Sequence, residues 1–295
     1  MLKRTLFFST PYCLSLRNNQ MIIHTKEMPE VEKSVPIEDL GVVVLEHQQT
    51  SVTLPLLNAL SDNNVAVVFC GENRMPNAML FNLDSNKAQG ACYRAQAEAS
   101  EPLKKGLWKQ IVEAKIRNQA ALLDKLGKDG SLLKPAYQNV KSGDADNREG
   151  VAAKLYWTEL FGKEFVRSRE GAEPNNLLNY GYTILRAGAA RALMGSGLFP
   201  AFGIFHRNRY NAFPLADDVM EPYRPYVDEL AYRLYSAGKT VLNKEVKGEL
   251  LRLLFVDTRF DKLQRPLDVG LTFTAASLAK CFAGTQKKIA YPQLE

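Results

Sequence analysis

Three short stretches hold side chains of the types that phosphoryl-transfer chemistry uses. They are Glu149 in Asp146-Asn147-Arg148-Glu149-Gly150, His206 in Gly203-Ile204-Phe205-His206-Arg207-Asn208-Arg209, and the carboxylates of Asp217-Asp218-Val219-Met220-Glu221-Pro222. Two carboxylates and one imidazole make a hard, oxygen-rich donor set that suits Mg²⁺ or Mn²⁺. An ion held that way polarises a phosphoryl centre during in-line displacement, so no covalent enzyme nucleophile is needed. The sequence offers no convincing serine, cysteine or lysine triad to supply one.

Each residue also has a purely structural explanation. Asp146 reads as a helix N-cap, which puts Glu149 in the opening turn, and positions 149, 153, 156 and 160 then share one face. Ala153, Tyr156 and Leu160 are apolar or aromatic, so a carboxylate at the head of that stripe is out of place. The structural alternative is a capping box, with Glu149 reaching back to its own N-cap. A lone histidine is commonly a satisfied core or surface group. Of the three histidines, however, His24 and His47 fall in the β-rich part of the chain, and His206 alone can join a site in the basic part. Asp217 or Asp218 reads as the cap of a new helix, with Asp218 and Glu221 on one face and Arg224 and Asp228 as an i, i+4 ion pair. That structural role is preferred for Asp217 and Asp228. Glu221 is harder to dismiss, because it precedes a proline where a helix enters packed structure.

The elements that must position these groups change character along the chain. Short β-rich bursts at Thr5 to Phe8, Tyr12 to Leu16, Met21 to His24, Val42 to Leu45 and Val65 to Cys70 are separated by turn-formers such as Asn18-Asn19. These predict hairpins and a small antiparallel assembly, with one helix near Thr53 to Leu60. From Leu103 the period turns helical, first to Leu126 and then near 131–141, 146–162, 174–194, 217–237, 244–254 and 273–284. The expected fold class is α+β: a small N-terminal β-rich domain, residues 1–90, followed by a larger all-α domain, residues 91–295. The boundary falls in the polar stretch between Asp84 and Pro102.

Composition narrows the partner. The 295 residues carry a net charge of +6, and the excess is uneven: 8 Lys/Arg against 10 Asp/Glu up to residue 100, then 30 against 22. A polyanion-binding surface therefore belongs to the second part. The four cysteines form no CxxC pair, which removes zinc-ribbon and dithiol readings in favour of reduced, buried thiols. The apolar run Leu6-Phe7-Phe8 ends at Ser9-Thr10-Pro11, too short for a signal peptide, and no run reaches transmembrane length. A cytoplasmic protein without a membrane partner is expected.

The motifs resemble those of the CRISPR-associated adaptation endonucleases. Asn147 to Trp157 (NREGVAAKLYW), Asn175 to Leu185 (NNLLNYGYTIL), Gly203 to Phe213 (GIFHRNRYNAF) and Glu221 to Asp228 (EPYRPYVD) occur in that family's order and approximate spacing. LWKQIVEAKIRNQA at 107–120 and the tail SLAKCFAGTQKKIAYPQL extend the likeness over the whole chain, and it is most similar to the form that accompanies type II systems. The resemblance implies a catalytic metal triad carried by Glu149, His206 and Glu221, with glutamate where the wider family often has aspartate. It further implies Asp218 as a possible supporting carboxylate and Tyr180 as a tyrosine near the active centre. Dimerisation through the β domain, and a heterohexamer with a small ferredoxin-like CRISPR adaptation partner, are implied by the family alone.

Other features fit that work. Asn175, Asn179, Tyr182 and Arg186 form a polar stripe that could face the metal site or DNA, the alternative being a solvated face. Lys104, Lys105, Lys109, Lys115, Arg117, Arg207 and Arg209 are candidate phosphate contacts, or simply solvated charges. The expected function is insertion of foreign DNA fragments into a CRISPR array by 3′-hydroxyl attack on a phosphodiester, with double-stranded and branched DNA as substrates. The alternatives are a non-catalytic DNA-binding scaffold, or a standalone nuclease of the same fold acting in repair or DNA mobility.

Overall fold

A computed structural model describes residues 3–80, 82 and 86–295. Chain contacts divide it into two compact units, Met1–Ser85 and Asn86–Glu295, a division five residues earlier than the sequence suggests. Helix α2 (Gln89–Ala97) belongs to the second unit.

The first unit holds two four-stranded sheets. One contains β1 (Arg4–Phe8), β5 (Leu40–Leu45), β7 (Ala66–Cys70) and β8 (Pro76–Leu80) in that spatial order. Its first three strands are parallel and only β8 runs against its neighbour, which corrects the expected antiparallel assembly for this sheet, while β2–β3 and β3–β4 of the other sheet are antiparallel. The physical reason lies in β5, where all six residues of LGVVVL are buried. A strand covered on both faces is a continuous apolar run, the pattern of parallel sheets, whereas one-sided antiparallel strands alternate. Helix α1 (Leu54–Asp62) makes the crossover from β5 to β7. The second sheet is ordered β4 (Lys33–Pro36), β3 (Gln20–His24), β2 (Cys13–Arg17) and β6 (Ser51–Val52). Its β2–β3 hairpin turns through Asn18 and Asn19, both at positive φ, as a two-residue turn between twisted strands requires. Leu14, Met21, Leu40, Val43, Leu56 and Leu60 form the core of this unit.

The second unit is helical except for one hairpin, β9 (Asp257–Phe260) with β10 (Leu263–Pro266), where only helices were expected. Its strands are polar and largely exposed, so neither the alternation nor the apolar run that marks a strand is present. The helices are α3 (Glu101–Lys125), α4 (Lys134–Gln138), α5 (Arg148–Phe161), α6 (Asn175–Gly195), α7 (Pro214–Met220), α8 (Arg224–Ser236), α9 (Lys244–Leu251) and α10 (Leu267–Phe282). The single helix expected over 217–237 is two helices joined by a 3-10 turn at Glu221–Tyr223. Pro222 and Pro225 lack the N–H groups that a continuous helix would need there.

Helix α6 runs through the middle of the unit, with 16 of its 21 residues buried. Small residues let its neighbours approach. A Cβ on Gly181 would lie 2.4 Å from Val227 of α8, and one on Gly188 would lie 3.1 Å from Leu254 and from Leu271 of α10. Among the described residues no helix is long and apolar enough to cross a membrane.

Candidate active site

Separate elements of the second unit bring Glu149 and Glu221 onto one lysine, Lys115, while His206 lies within electrostatic reach of Glu221. Helix α5 supplies Glu149. Its N-cap is Asn147, whose side chain accepts from the Gly150 N–H, while Asp144 accepts from the Arg148 and Glu149 N–H groups at 2.8 and 3.0 Å. Asp146 is instead paired with Lys141 at 2.8 Å. The expected cap is thus one residue out, and no capping box forms, because two other residues already satisfy the first amides. Glu149 is left free to reach α3, where Lys115 Nζ donates to its Oε1 at 2.6 Å.

Glu221 lies in the 3-10 turn between α7 and α8 and is 3% exposed. Lys115 Nζ stands 2.6 Å from its Oε2, and Arg224 Nε stands 2.9 Å from its Oε1. Burial alone would push the Glu221 carboxyl up; Arg224 and Lys115 outweigh it and hold the carboxyl well below the usual carboxylate range. The expected Arg224–Asp228 ion pair gives way to this arrangement. The turn is also fixed from behind, since buried Asn118 of α3 donates to the Pro222 carbonyl at 2.7 Å and to the Pro292 carbonyl at 3.1 Å.

His206 lies in the loop between α6 and α7. Its Nδ1 is 2.5 Å from Asp218 Oδ1. Asp218 is fully buried and also accepts from the backbone N–H groups of Ile204, Phe205 and His206, at 2.6, 3.0 and 3.2 Å. Neither Asp217 nor Asp218 caps a helix, as the sequence suggested; both sit inside α7, whose N-cap position is Phe213. One carboxylate folds the loop back onto α7 and engages one imidazole nitrogen, Nδ1, so that Nε2 is the nitrogen it does not take up. Trp108 of α3 packs edge-on against the imidazole at 5.7 Å between ring centroids and stacks on Phe205 at 4.2 Å. The hydrogen bond to Asp218 outweighs burial and raises the His206 pKa, helped by the charges of Asp218, Glu221 and Asp217.

The polar stripe of α6 turns inward. Arg186 forms a two-pronged pair with Asp217, 2.6 and 3.0 Å. Tyr182 and Tyr156 both donate to buried Asp228, and the Arg224 guanidinium lies 4.5 Å over the Tyr182 ring. Asn175 and Asn179 hold the loop before α6 through Arg167. Tyr180 is fully buried, with the Lys247 ammonium of α9 over its ring. Tyr180 is only two residues from Tyr182, and that spacing on a helix places them on different faces.

Among the basic residues named as phosphate contacts, Lys115 faces inward to the two glutamates. Lys109 pairs with Glu113, Arg117 lies over Tyr137, and Arg209 lies over Tyr210. A cavity of about 450 Å³ opens beside His206 and is lined by Lys104, Phe202, Arg207 and Arg209 among others.

The family described as CRISPR associated protein Cas1 matches residues 6–251. The chain belongs to the Cas1 family. It is 38% identical over 255 residues to the CRISPR-associated endonuclease Cas1 of Neisseria meningitidis serogroup C, covering 85% of this chain and 83% of that protein. A second relative, CRISPR-associated endonuclease Cas1 1 of Pyrobaculum aerophilum, is 32% identical over 224 residues, covering 68% of this chain and 74% of its own. The Cas1 fold is also evident in solved structures. A casposase bound to integration product superposes with a TM-score of 0.79 at 20% identity, over 98% of this chain and 93% of that one. A Cas1 protein from Thermotoga maritima gives 0.75 at 16% identity, over 97% and 99%.

The donor chemistry of this Cas1 site fits a divalent ion. Glu149 and Glu221 already address one cation, and Glu221 Oε2 is buried without an aligned hydrogen bond. His206 is close enough for its charge to act on Glu221. Among the described residues no three His, Cys, Asp or Glu side chains are yet drawn together as a metal ion would hold them; the Lys115 ammonium stands between the glutamates.

Proposed function

We propose that this Cas1 chain is a metal-dependent DNA endonuclease and integrase of CRISPR adaptation, of the type II-like form, with Glu149, His206 and Glu221 holding Mn²⁺ or Mg²⁺. The observation that carries this reading is the convergence of two glutamates on one cation, with an imidazole held by a buried carboxylate within electrostatic reach of one of them. When bound, the ion supplies Lewis-acid polarisation of the phosphoryl centre and charge stabilisation in an in-line displacement.

The chain's own residues do the rest. Asp218 fixes the imidazole ring, Arg224 keeps Glu221 ionised, and Lys104, Arg207 and Arg209 around the neighbouring cavity offer phosphate contacts. The 3′-hydroxyl of a captured DNA fragment attacks a phosphodiester at the border of a CRISPR repeat. One P–O bond forms as one breaks, and the proton lost by the attacking hydroxyl is matched by the one gained by the departing 3′-oxygen, so no ATP is consumed. Water in place of the hydroxyl gives strand cutting, and branched DNA gives the reverse reaction. The β-rich unit serves as the dimerisation domain. The dimer works with a small ferredoxin-like adaptation partner; that a solved Cas6-RT-Cas1–Cas2 complex shares this fold, at a TM-score of 0.74 and 21% identity, supports a partner protein of this kind.

The test is transfer of a labelled short duplex into a supercoiled plasmid carrying repeats, with the partner protein present, together with a branched substrate given to this chain alone. Activity that requires Mn²⁺ or Mg²⁺, disappears with chelator and is lost in His206→Ala and Glu221→Ala is the expected result. Strand transfer that persists in chelator would overturn the metal assignment, and activity surviving in both variants would move the chemistry elsewhere.

A further inference from the structure

Lys115 comes from the middle of α3, is nearly buried, and places its ammonium 2.6 Å from an oxygen of each of the two glutamates. Two carboxylates facing each other in so dry a place repel strongly unless a cation lies between them. Arg224 cannot be that cation, because its guanidinium is on the far oxygen of Glu221 and over the Tyr182 ring. The two cations therefore divide the work: Arg224 serves Oε1 and Lys115 serves the gap.

We infer that Lys115 is an internal counter-cation of the metal centre, which holds Glu149 and Glu221 together in the metal-free protein and withdraws when a divalent ion takes the same oxygens. This rests on the metal reading above. A Mg²⁺ ion sits about 2.0 to 2.1 Å from carboxylate oxygens, so such an ion claims the space the ammonium holds, and two cations at that separation repel. Lysine suits the task as arginine would not. Its charge is a single point on a flexible four-carbon stem, whereas a guanidinium is a rigid fork that stays with its partner. The consequence is that metal entry competes with an ion pair already made, so metal affinity is lower than the donor set alone would give. The same competition keeps the metal-free pocket from opening under its own negative charge.

The experiment measures Mn²⁺ binding by loss of the free-ion paramagnetic resonance signal, and thermal unfolding with chelator and with Mn²⁺. The full-length parent is compared with Lys115→Met, Lys115→Gln, Lys115→Arg and His206→Ala. Lys115→Met and Lys115→Gln are expected to bind Mn²⁺ at least tenfold more tightly than the parent, to melt lower in chelator, and to gain more from Mn²⁺. Lys115→Arg, with the charge kept, is expected to bind no more tightly than the parent. A neutral variant recovered folded only in the presence of Mn²⁺ supports the assignment equally. Parent binding that depends on His206, with affinity unchanged or weakened in both neutral variants, overturns the role of Lys115 and leaves the metal reading standing. A parent that binds no Mn²⁺ through His206 overturns both.

Discussion

Asp218 and His206 are separated by twelve residues and joined at 2.5 Å through Nδ1, and the same carboxylate accepts three consecutive backbone amides of the His206 loop. One buried side chain thus sets both the path of the loop and the orientation of the imidazole. Histidines that ligate metals commonly hand their second nitrogen to such a carboxylate, and losing that partner costs about 10- to 100-fold in metal affinity or activity. Asp218→Asn is expected to lower Mn²⁺ affinity and turnover within that range and to cost roughly 1 to 3 kcal/mol of stability from poorly satisfied amides. Titration with Mn²⁺ and denaturant unfolding of the same variant would check both, and unchanged metal affinity would show that the imidazole does not need the carboxylate.

The site was partly legible in the sequence, and the boundary follows physical lines. Glu149 stands out because a carboxylate on an otherwise apolar stripe costs desolvation unless something recovers it, and Glu221 because it precedes a proline where a helix enters packed structure. His206 stood out because the other two histidines lie in the first unit. In the sequence Lys115 is one cation among many. Helix α3 buries Lys115, Asn118 and Gln119 together with its apolar residues, so periodicity along it does not tell an inward lysine from a solvated one. The hydrogen bonds from Asp218 depend on how a loop of more than ten residues folds back, which local spacing does not encode. The β-rich start was visible from strand propensity, yet the runs in β5 and β7 carry no alternation from which to read one-sided burial, and strand direction followed the crossover through α1 instead.

Gly203 shows how tightly that loop is drawn. A Cβ there would stand 2.6 Å from the His206 carbonyl oxygen and 2.9 Å from Pro214 Cβ. Because one neighbour is backbone and the other a ring, neither yields cheaply, and Gly203→Ala is expected to displace the loop at a cost of roughly 1 to 3 kcal/mol. Strand-transfer rate should fall at least tenfold while DNA binding, measured by fluorescence anisotropy, changes little. Full activity in a variant of normal stability would mean that the His206 geometry tolerates the shift.

Asp228 gives a pH dependence with a definite sign. Burial raises its carboxyl to about 6, against the opposing hydrogen bonds from Tyr182 and Tyr156 and the charges of Arg224 and Arg167; the ordinary value is 3.8. A carboxyl raised by folding contributes stability that is present below 3.8 and lost as pH climbs through about 6, a loss of about 3 kcal/mol by proton linkage. Asp228→Asn has no such proton to lose. Between pH 4 and pH 7.5 the difference in unfolding free energy between parent and variant should therefore move in the variant's favour by about 2.4 kcal/mol, the rest being lost already at pH 4. Urea unfolding at the two pH values measures it, and a constant difference would place the Asp228 pKa near its ordinary value.

Asn118 ties the Glu221 turn to the end of the chain. Its amide donates to the Pro222 and Pro292 carbonyls, and its oxygen accepts from the Leu294 N–H at 3.2 Å. Asn118→Ala strands three buried backbone groups at once, and at about 1 to 3 kcal/mol for each unsatisfied group the expected loss is several kcal/mol, less whatever water recovers. The turn is then held from one side only, through the ion pairs of Glu221 with Lys115 and Arg224. Turnover should fall more than stability predicts, and raising Mn²⁺ should recover part of it, because a bound ion would pull Glu221 back into place. Asn118→Asp separates this from a simple packing defect: it preserves volume and the acceptor but removes the donor and adds a negative charge behind Glu221. If Asn118→Asp kept parental turnover at low Mn²⁺, the link between Asn118 and the Glu221 carboxylate would be broken.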